Sequence, residues 1–384
     1  MTLAGSTGIL PDDKVLTAMG KDFEKAADVI RDHIARRTPV IIRYHGDCDG
    51  ICAALSVYMS IKGLVGESEW PEYRKKMLVF MNHSAIYSIA GVLDDMELVR
   101  HMQSPAQPLA ILLDFAVNSE SIESLKTLKK ANFDILIADH HPPEAEAENI
   151  ATLLVSPWLH GGNSDYAAGL IAGEIARKLN PFDGISELEK TALIGDRSKL
   201  PITQEEQLKH KALVLDFMSS NSDFAESLEA YYSVLKDDKK TDLLYKTAMK
   251  KIEDVRKQAL NYSKLKELDN GFRVVLVRLE KVKIRDFPPK GRICGEVHDE
   301  FSKKIDAPLV TVAYGDRAMH IRANSEARKA GFNANPLIGA LKNEFRNGIE
   351  SGGGHDVAAG IRIKTGFQRM VLDELVKKIG EIAK

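Results

Sequence analysis

The chain has 384 residues, enough for two or three domains, and its 44% hydrophobic and 28% charged content is that of an ordinary globular protein. A net charge of −2 excludes a chain that gathers nucleic acid by bulk charge, so any polyanion must be held by a local patch. Three cysteines (Cys48, Cys52 and Cys294) cannot build a disulfide framework. The N-terminus lacks the basic cluster and apolar run of a secretory signal, and no apolar stretch of about 18 residues stands out, so a cytoplasmic protein without a membrane span is expected.

In chain order, residues 1–38 read as a helical lead-in, with Phe23, Ala26, Ile30 and Ile34 at helical spacing. A repeating pattern follows, in which short apolar runs end in polar clusters and helix-like segments separate them. Val40–Tyr44 runs into HGDCDG, Met77–Met81 into NHS, Leu109–Leu113 into Asp114, and Ile135–Ala138 into Asp139-His140-His141. Continuous apolar runs alternating with helices predict an open parallel α/β sheet, helices on both faces, with ligands bound at the C-terminal strand ends. From about Gln204 to Leu268 the chain reads as mostly helical, with Leu244, Ala248, Ile252, Val255, Ala259 and Tyr262 along one stripe. Strand signals return at Phe272–Leu279, Leu309–Tyr314 and Ala318–Ala323, and Gly352–Gly354 reads as a tight glycine-rich turn. The predicted organisation is an α/β catalytic domain over 1–200, a helical connector over 201–268 and a smaller α/β domain over 269–384.

The clusters that end the runs share a chemistry. His45-Gly46-Asp47-Cys48-Asp49-Gly50 offers one imidazole and two carboxylates within five residues, converging either by strand alternation or by a glycine-built turn. A plain Asp-rich turn with Asp49 capping a helix is the competing reading. Cys48 suits packing better than ligation. Asp139-His140-His141 adds two imidazoles to a carboxylate, a mixture suited to Mn²⁺, Zn²⁺ or Fe²⁺ rather than Ca²⁺. Asp114 and Asp196, each ending a further apolar run, would be ordinary caps if they stood alone. Together these groups suffice for two divalent ions about 3.5–4 Å apart, which need one bridging carboxylate and private ligands on each side. A pair of ions held this way can activate a water for in-line attack, without a covalent intermediate.

HGDCDG, the strand end at Asp114, Asp139-His140-His141 and Asp196 in ALIGDRSKLP resemble, in order, the four metal motifs of the DHH phosphoesterase superfamily. GGGHDVAAG, residues 352–360, is similar to the signature of that family's DHH-associated C-terminal domain. The resemblance spans residues 38–365 and implies a parallel-sheet DHH domain and a smaller C-terminal α/β domain carrying the GGGH motif. It implies two divalent ions, manganese before magnesium. His45 and Asp47 would serve one ion, and Asp49, His140 and Asp196 the other. Asp114 would bridge, His141 would face the phosphate, and Asp139 would orient the histidines. Several relatives place the first histidine further ahead of the Asp pair. Many carry a basic residue after the glycine-motif histidine, where this chain has Asp356 and Val357.

In the C-terminal domain, Gly352, Gly353 and Gly354 let backbone N–H groups approach an anion, and His355 adds a donor. Arg322 resembles the family's arginine near the nucleotide. Gly271–Arg292 carries a local excess of positive charge suited to phosphates or to a solvated strand face, and Phe287 offers an aromatic for stacking. The expected activity is RecJ-like exonucleolytic hydrolysis of single-stranded DNA or RNA or short oligonucleotides. Alternatives are a small-nucleotide or cyclic-dinucleotide phosphodiesterase or phosphatase and, from another class, a non-catalytic replication or RNA-processing scaffold. Expected partners are nucleic acid or nucleotides, with a homodimer or replication and RNA-processing proteins as further partners.

Overall fold

The computed structural model describes residues 8–84, 86–203, 205–221 and 227–382. The chain divides into two compact units, 1–245 and 246–384. Through the first unit run α1 (Lys14–Ala35), β1 (Val40–His45), α2 (Cys48–Val65), α3 (Trp70–Tyr73), β2 (Met77–Asn82), α4 (Ile89–His101), β3 (Leu109–Leu113), α5 (Ile122–Lys130) and β4 (Asp134–Ala138). Next come α6 (Ala145–Ile150), β5 (Leu153–Val155), α7 (Ala168–Leu179), α8 (Ile185–Gly195), α9 (Glu206–Ser219), α10 (Leu228–Leu235) and α11 (Asp238–Asn261), inside which the division falls. The predicted lead-in helix is α1; residues 1–7 and Gln204 lie outside the described residues.

The first sheet has five strands in the order β2-β1-β3-β4-β5, all parallel. Its strands are apolar on both faces because both faces are covered. Ile42, Tyr44, Ile111, Leu113 and Leu136 point to the core beneath α1, α2, α7 and α8. Ile41, Ala110, Leu112, Ile135 and Ile137 point to the core that includes Val92 of α4, Leu125 and Leu128 of α5 and Ala147 of α6. Such a strand order reverses direction between β1 and β3, which opens a crevice at the C-terminal ends of those two strands. His45 and Asp114 stand there.

Helix α2 is the centre of the larger core. With a mean hydropathy of 1.4 over 18 residues it is, against the expectation above, long and apolar enough to cross a membrane by length and composition. Here it is a core helix: Ile51, Leu55 and Tyr58 are fully buried, and each large aliphatic side chain contributes about 1.5–3 kcal/mol. Leu215 and Met218 of α9 and Leu228 and Tyr231 of α10 join the same core.

The second unit continues with β6 (Ser263–Glu267), β7 (Arg273–Arg278), α12 (Lys290–Ser302), β8 (Leu309–Tyr314), β9 (Ala318–Ala323), α13 (Ser325–Lys329), α14 (Ala334–Glu344), β10 (Ile349–His355), β11 (Ala358–Ile363) and α15 (Gln368–Gly380). Its sheet has six strands in the order β10-β11-β9-β8-β7-β6, parallel only between β7 and β8. Two expectations change here. Ser263–Glu267 is a strand, not the end of the helical stretch; its lysines and exposed face suit an edge. Gly352–Gly354 lie within β10 rather than in a turn, and the chain reverses one step later, at Asp356-Val357.

Beside the crevice, Arg43 of β1 holds fully buried Asp95 of α4 through two bonds of 2.6 and 2.7 Å, and a third, of 3.0 Å, reaches Asn82 at the end of β2. The Tyr87 hydroxyl also donates to Asp95. Removing one partner of such a pair leaves an uncompensated buried charge. Asp95→Ala is therefore expected to destabilise the protein by about 3–5 kcal/mol, and Arg43→Met with Asp95→Leu by less, in denaturant unfolding at neutral pH.

Candidate metal centre

The chain's folding rule at the crevice is that each apolar run ends where a polar side chain is needed. β1 stops at His45, and Gly46 donates its N–H to the Asn82 carbonyl at 2.8 Å. Asp47 caps α2, its carboxylate accepting from the Gly50 N–H at 3.0 Å, so Cys48 and Asp49 lie in the first helical turn. The glycine-built turn, not strand alternation, is what folds this motif, and Asp47 rather than Asp49 is the cap. Gly50 is required there, because a Cβ would come within 2.2 Å of the His45 carbonyl oxygen. Cys48 is buried, with its thiol 3.5 Å from the Thr191 carbonyl oxygen, and it packs.

β3 ends at Asp114, whose backbone is left-handed at φ 64°, a region open to Asp though uncommon for non-glycine residues. The turned backbone sets its carboxylate among the histidines. One oxygen lies 3.3 Å from His45 Nδ1, and the other lies 3.3 Å from His140 Nε2 and 3.7 Å from His141 Nδ1. His45 Nδ1 is also 2.9 Å from Asp47. His140 reaches Asp49 at 3.7 Å and Asp196, which caps α8, at 3.5 Å. The Asp139 carboxylate accepts the backbone N–H of His141 at 3.0 Å and holds its Nδ1 at 2.8 Å.

Three donor sets, each with its ligand atoms within 4.8 Å, result: His45, Asp47 and Asp114; Asp49, His140 and Asp196; and Asp114, Asp139, His140 and His141. Every residue expected at the metals is thus brought together, and Asp114 and His140 each belong to two of the sets. Among the described residues, Asp114 Oδ1 and Asp139 Oδ2 are buried without a hydrogen-bond partner. A buried carboxylate oxygen without a donor is costly unless a cation meets it. The donor set and these orphaned oxygens fit divalent ions.

Electrostatics point the same way. Burial pushes the Asp196 carboxyl up to about 7, with Asp114 adding to the rise against the pull of His140. Asp49 is raised by burial and by Asp114. Burial opposes charging of His45 and His140, but Asp47 beside the first and Asp114 beside both hold them protonated well above the usual range. His141 is likewise raised to about 9, Asp139 outweighing burial.

Several supports of this centre were not legible in the sequence. Asp49 accepts backbone N–H bonds from Ala168 and Gly169, at 2.8 and 2.7 Å, at the N-terminus of α7. Asp216 of α9 accepts the Cys48 N–H at 2.9 Å and so anchors the start of α2. The His140 carbonyl accepts from Trp158 Nε1 and Ser164 Oγ, both at 2.9 Å, while its Nδ1 lies 2.7 Å from the Ser164 carbonyl. Asp216 and Gly169 lie on helices, and Trp158 and Ser164 lie between β5 and α7, with no spacing to mark any of them.

In the second unit, Thr311, Arg322, Ala358 and His355 pair in one row across β8, β9, β11 and β10, and His320, Gly360 and Gly353 pair in the next row of the same face. Directly paired residues share a face. The expected Arg322, Gly353 and His355 therefore stand on one face, with small residues between them, whereas Gly352 and Gly354 alternate to the other. A Cβ at Gly353 would meet open space, whereas one at Gly354 would come within 2.5 Å of the Ala358 carbonyl oxygen. His320, missed in the sequence, joins this shelf; burial and then Lys290 and Arg322 push it down to about 4, so it is neutral near pH 7. Phe287 is buried at 4% exposure, which corrects the expectation of a stacking surface there. Arg273, Arg278 and Arg292 of the basic stretch pair with Glu267, Glu280 and Glu296.

A parallel sheet with this donor cluster at its crevice, and a second unit with a glycine-floored shelf, defines the class. Residues 39–193 match the DHH family, N-terminal domain, and residues 280–384 match the DHHA1 domain; the chain belongs to the DHH superfamily and carries its DHH-associated C-terminal domain. It is 25% identical to an uncharacterized protein of Methanocaldococcus jannaschii, over 96% of this chain and 55% of that protein, so the chain spans about half the length of this curated relative. Among solved structures it resembles the DHH domain of a member of a ribosomal-protein family, at a TM-score of 0.87, 27% identity, and coverage of 98% of this chain and 94% of the other. RecJ from Thermus thermophilus in complex with Mn²⁺ shares the fold at a TM-score of 0.60 and 13% identity, over 94% of this chain and 55% of RecJ. The family and the cluster together support a phosphoesterase.

Two expected outcomes test this geometry. In the metal-free protein, His45, His140, Asp49 and Asp196 hold protons in the folded state that they would lose when unfolded. Raised folded pKa values make stability fall as pH rises. Metal-free Tm should therefore fall as pH rises from about 4 through about 7, where Asp196 ionises, and on to about 9, where His141 loses its proton, while Mn²⁺ should bind more tightly over the same range and release protons, as read by calorimetry in buffers of differing ionisation enthalpy. Separately, Asp216→Ala strands the Cys48 N–H and is expected to cost about 1–3 kcal/mol and weaken Mn²⁺ binding, whereas Asp216→Asn, which keeps an acceptor, should lose less of both.

Proposed function

We propose that this chain is a two-metal phosphodiesterase that hydrolyses single-stranded nucleic acid or short oligonucleotides from an end, in the manner of RecJ. The observation that supports the reading is Asp114: one oxygen of this buried carboxylate lies 3.3 Å from His45 Nδ1 and the other 3.3 Å from His140 Nε2, so it faces a donor from each ion's set. His45 and Asp47 would hold one ion, and Asp49, His140 and Asp196 the second. Bound divalent ions, manganese in first place, supply an activated water and neutralise charge on the phosphoryl group. A RecJ exonuclease of this fold was solved bound to manganese, which supports that choice.

The chain's own residues supply the rest. Asp139 fixes the His141 ring, whose exposed edge can donate to a phosphoryl oxygen as charge develops there. His141 is held protonated by Asp139, and that suits a donor. On the second unit, Arg322, His320, His355 and the amides beside Gly353 form the surface for a nucleotide's phosphate or sugar. Four exposed cations near it in sequence, Lys281, Lys283, Arg285 and Lys290, offer the salt-sensitive contacts of a longer strand.

The test is a substrate panel with Mn²⁺: single-stranded DNA and RNA, dinucleotides, cyclic dinucleotides, pAp and pyrophosphate. Cleavage of strands or dinucleotides is expected, with loss of turnover in EDTA and in Asp114→Ala, whose metal-free fold should survive because a clustered negative charge is gone. His355→Ala should keep its metal content and lose affinity, most on dinucleotides. Exclusive turnover of pyrophosphate or of cyclic dinucleotides would overturn the substrate assignment, and full activity after chelation would overturn the metal mechanism.

A further inference from the structure

The chain has two tryptophans, and they are placed differently. Trp70 is buried at 8% exposure, edge-on to Tyr58 at a centroid distance of 5.3 Å. Trp158 is 41% exposed, yet it is not loose. It follows β5 on the turn Pro157–His160, at the C-terminal rim of the parallel sheet where the donor cluster lies. Its indole N–H donates to the main-chain carbonyl of His140, whose imidazole is within 3.7 Å of Asp49, Asp114 and Asp196.

The segment around it is fixed from both sides. Gly162 donates its N–H to the Pro157 carbonyl at 2.8 Å, His160 meets Asp22 of α1 at 2.7 Å, and Ser164 donates to the same His140 carbonyl as the indole. A single exposed aromatic is ordinary on a protein surface. This one has its polar edge bonded to the main chain of a cluster residue and is 41% exposed, with the exposed His141 ring next in the chain after His140. A ring already immobilised pays no further ordering cost when a planar ligand stacks on it. Every nucleobase has such a plane, and base–aromatic stacking is tolerant of sequence.

We propose that Trp158 is the stacking platform for the base of the nucleotide whose phosphate enters the metal centre. The inference rests on the nucleotide phosphodiester reading above and narrows it: substrates bearing a base next to the scissile phosphate are preferred over base-free phosphodiesters. Trp158 thus replaces Phe287 as the aromatic of the binding surface.

The first measurement needs no turnover. The Mn²⁺-loaded protein is titrated with AMP and with ribose 5-phosphate while tryptophan emission is followed. AMP is expected to quench emission and ribose 5-phosphate to leave it unchanged, and the AMP signal should disappear in Trp158→Phe, which keeps only buried Trp70. The second measurement compares kcat/KM on a dinucleotide and on its base-free analogue. Trp158→Ala should cut the preference for the base-bearing substrate about tenfold, beyond any loss on both substrates from the missing bond to the His140 carbonyl, while Trp158→Phe, which loses the same bond but retains a ring, should keep most of the preference. Equal losses on both substrates in Trp158→Ala and Trp158→Phe would mean that the indole only props the His140 carbonyl, and would overturn the proposal. So would AMP binding without quenching of Trp158. If no phosphodiester is cleaved by the wild type, the functional reading fails by itself, and the AMP titration still decides the role of Trp158.

Discussion

The Asp114 carboxylate sits buried at the crevice between β1 and β3, and its charge has to be met from within the protein. A hydrogen bond of 3.3 Å links one of its oxygens to His45 Nδ1, and among the described residues the other oxygen has no hydrogen-bond partner. Three imidazoles surround it, His45 on one side and His140 and His141 on the other, and each brings a second carboxylate: Asp47, Asp49 with Asp196, and Asp139. Adding carboxylates to a buried carboxylate is unfavourable by itself: burial first and then Asp114 raise both Asp49 and Asp196. The arrangement becomes reasonable when protons or divalent cations occupy it, and the exchange between the two ties metal binding to pH.

That demand explains why the surroundings are rigid. Asp49 is gripped by two amides at the start of α7, the Cys48 amide by Asp216, and the His140 carbonyl by Trp158 and Ser164. Each contact orients a group that carries or borders a ligand, and none contributes a ligand itself. Donors and acceptors held this way keep like charges at a separation that side-chain freedom would otherwise widen.

The ligands were readable in the sequence because a parallel strand buried on both faces is a continuous apolar run, and the polar residue that ends it stands out. β1, β3 and β4 could therefore be found together with His45, Asp114 and Asp139. Their supports could not be found so easily. Asp216 sits on a helix with no special pattern, and Gly169 acts through its amide, which no side chain advertises. The glycines of β10 misled for a different reason: glycine is poor in strands, so three in a row suggested a turn. In the sheet their small size leaves room over Gly353, between His320, Arg322 and His355. β6 was missed because an edge strand of lysines and a single leucine has no buried face to betray it.

The bond between Asp216 and the Cys48 amide joins residues 168 positions apart. During synthesis the loop bearing Asp47 and Asp49 leaves the ribosome well before its anchor exists; at about 5–20 residues per second the delay is roughly 8–34 s. Over that interval the nascent chain carries its densest group of metal-binding side chains without the helix that holds them in register, a period in which a competing metal meets a soft and adaptable site. Fidelity of metal choice in the finished protein would then depend on how readily an early ion can leave once α9 docks, a kinetic question that the equilibrium affinity of the folded centre does not answer.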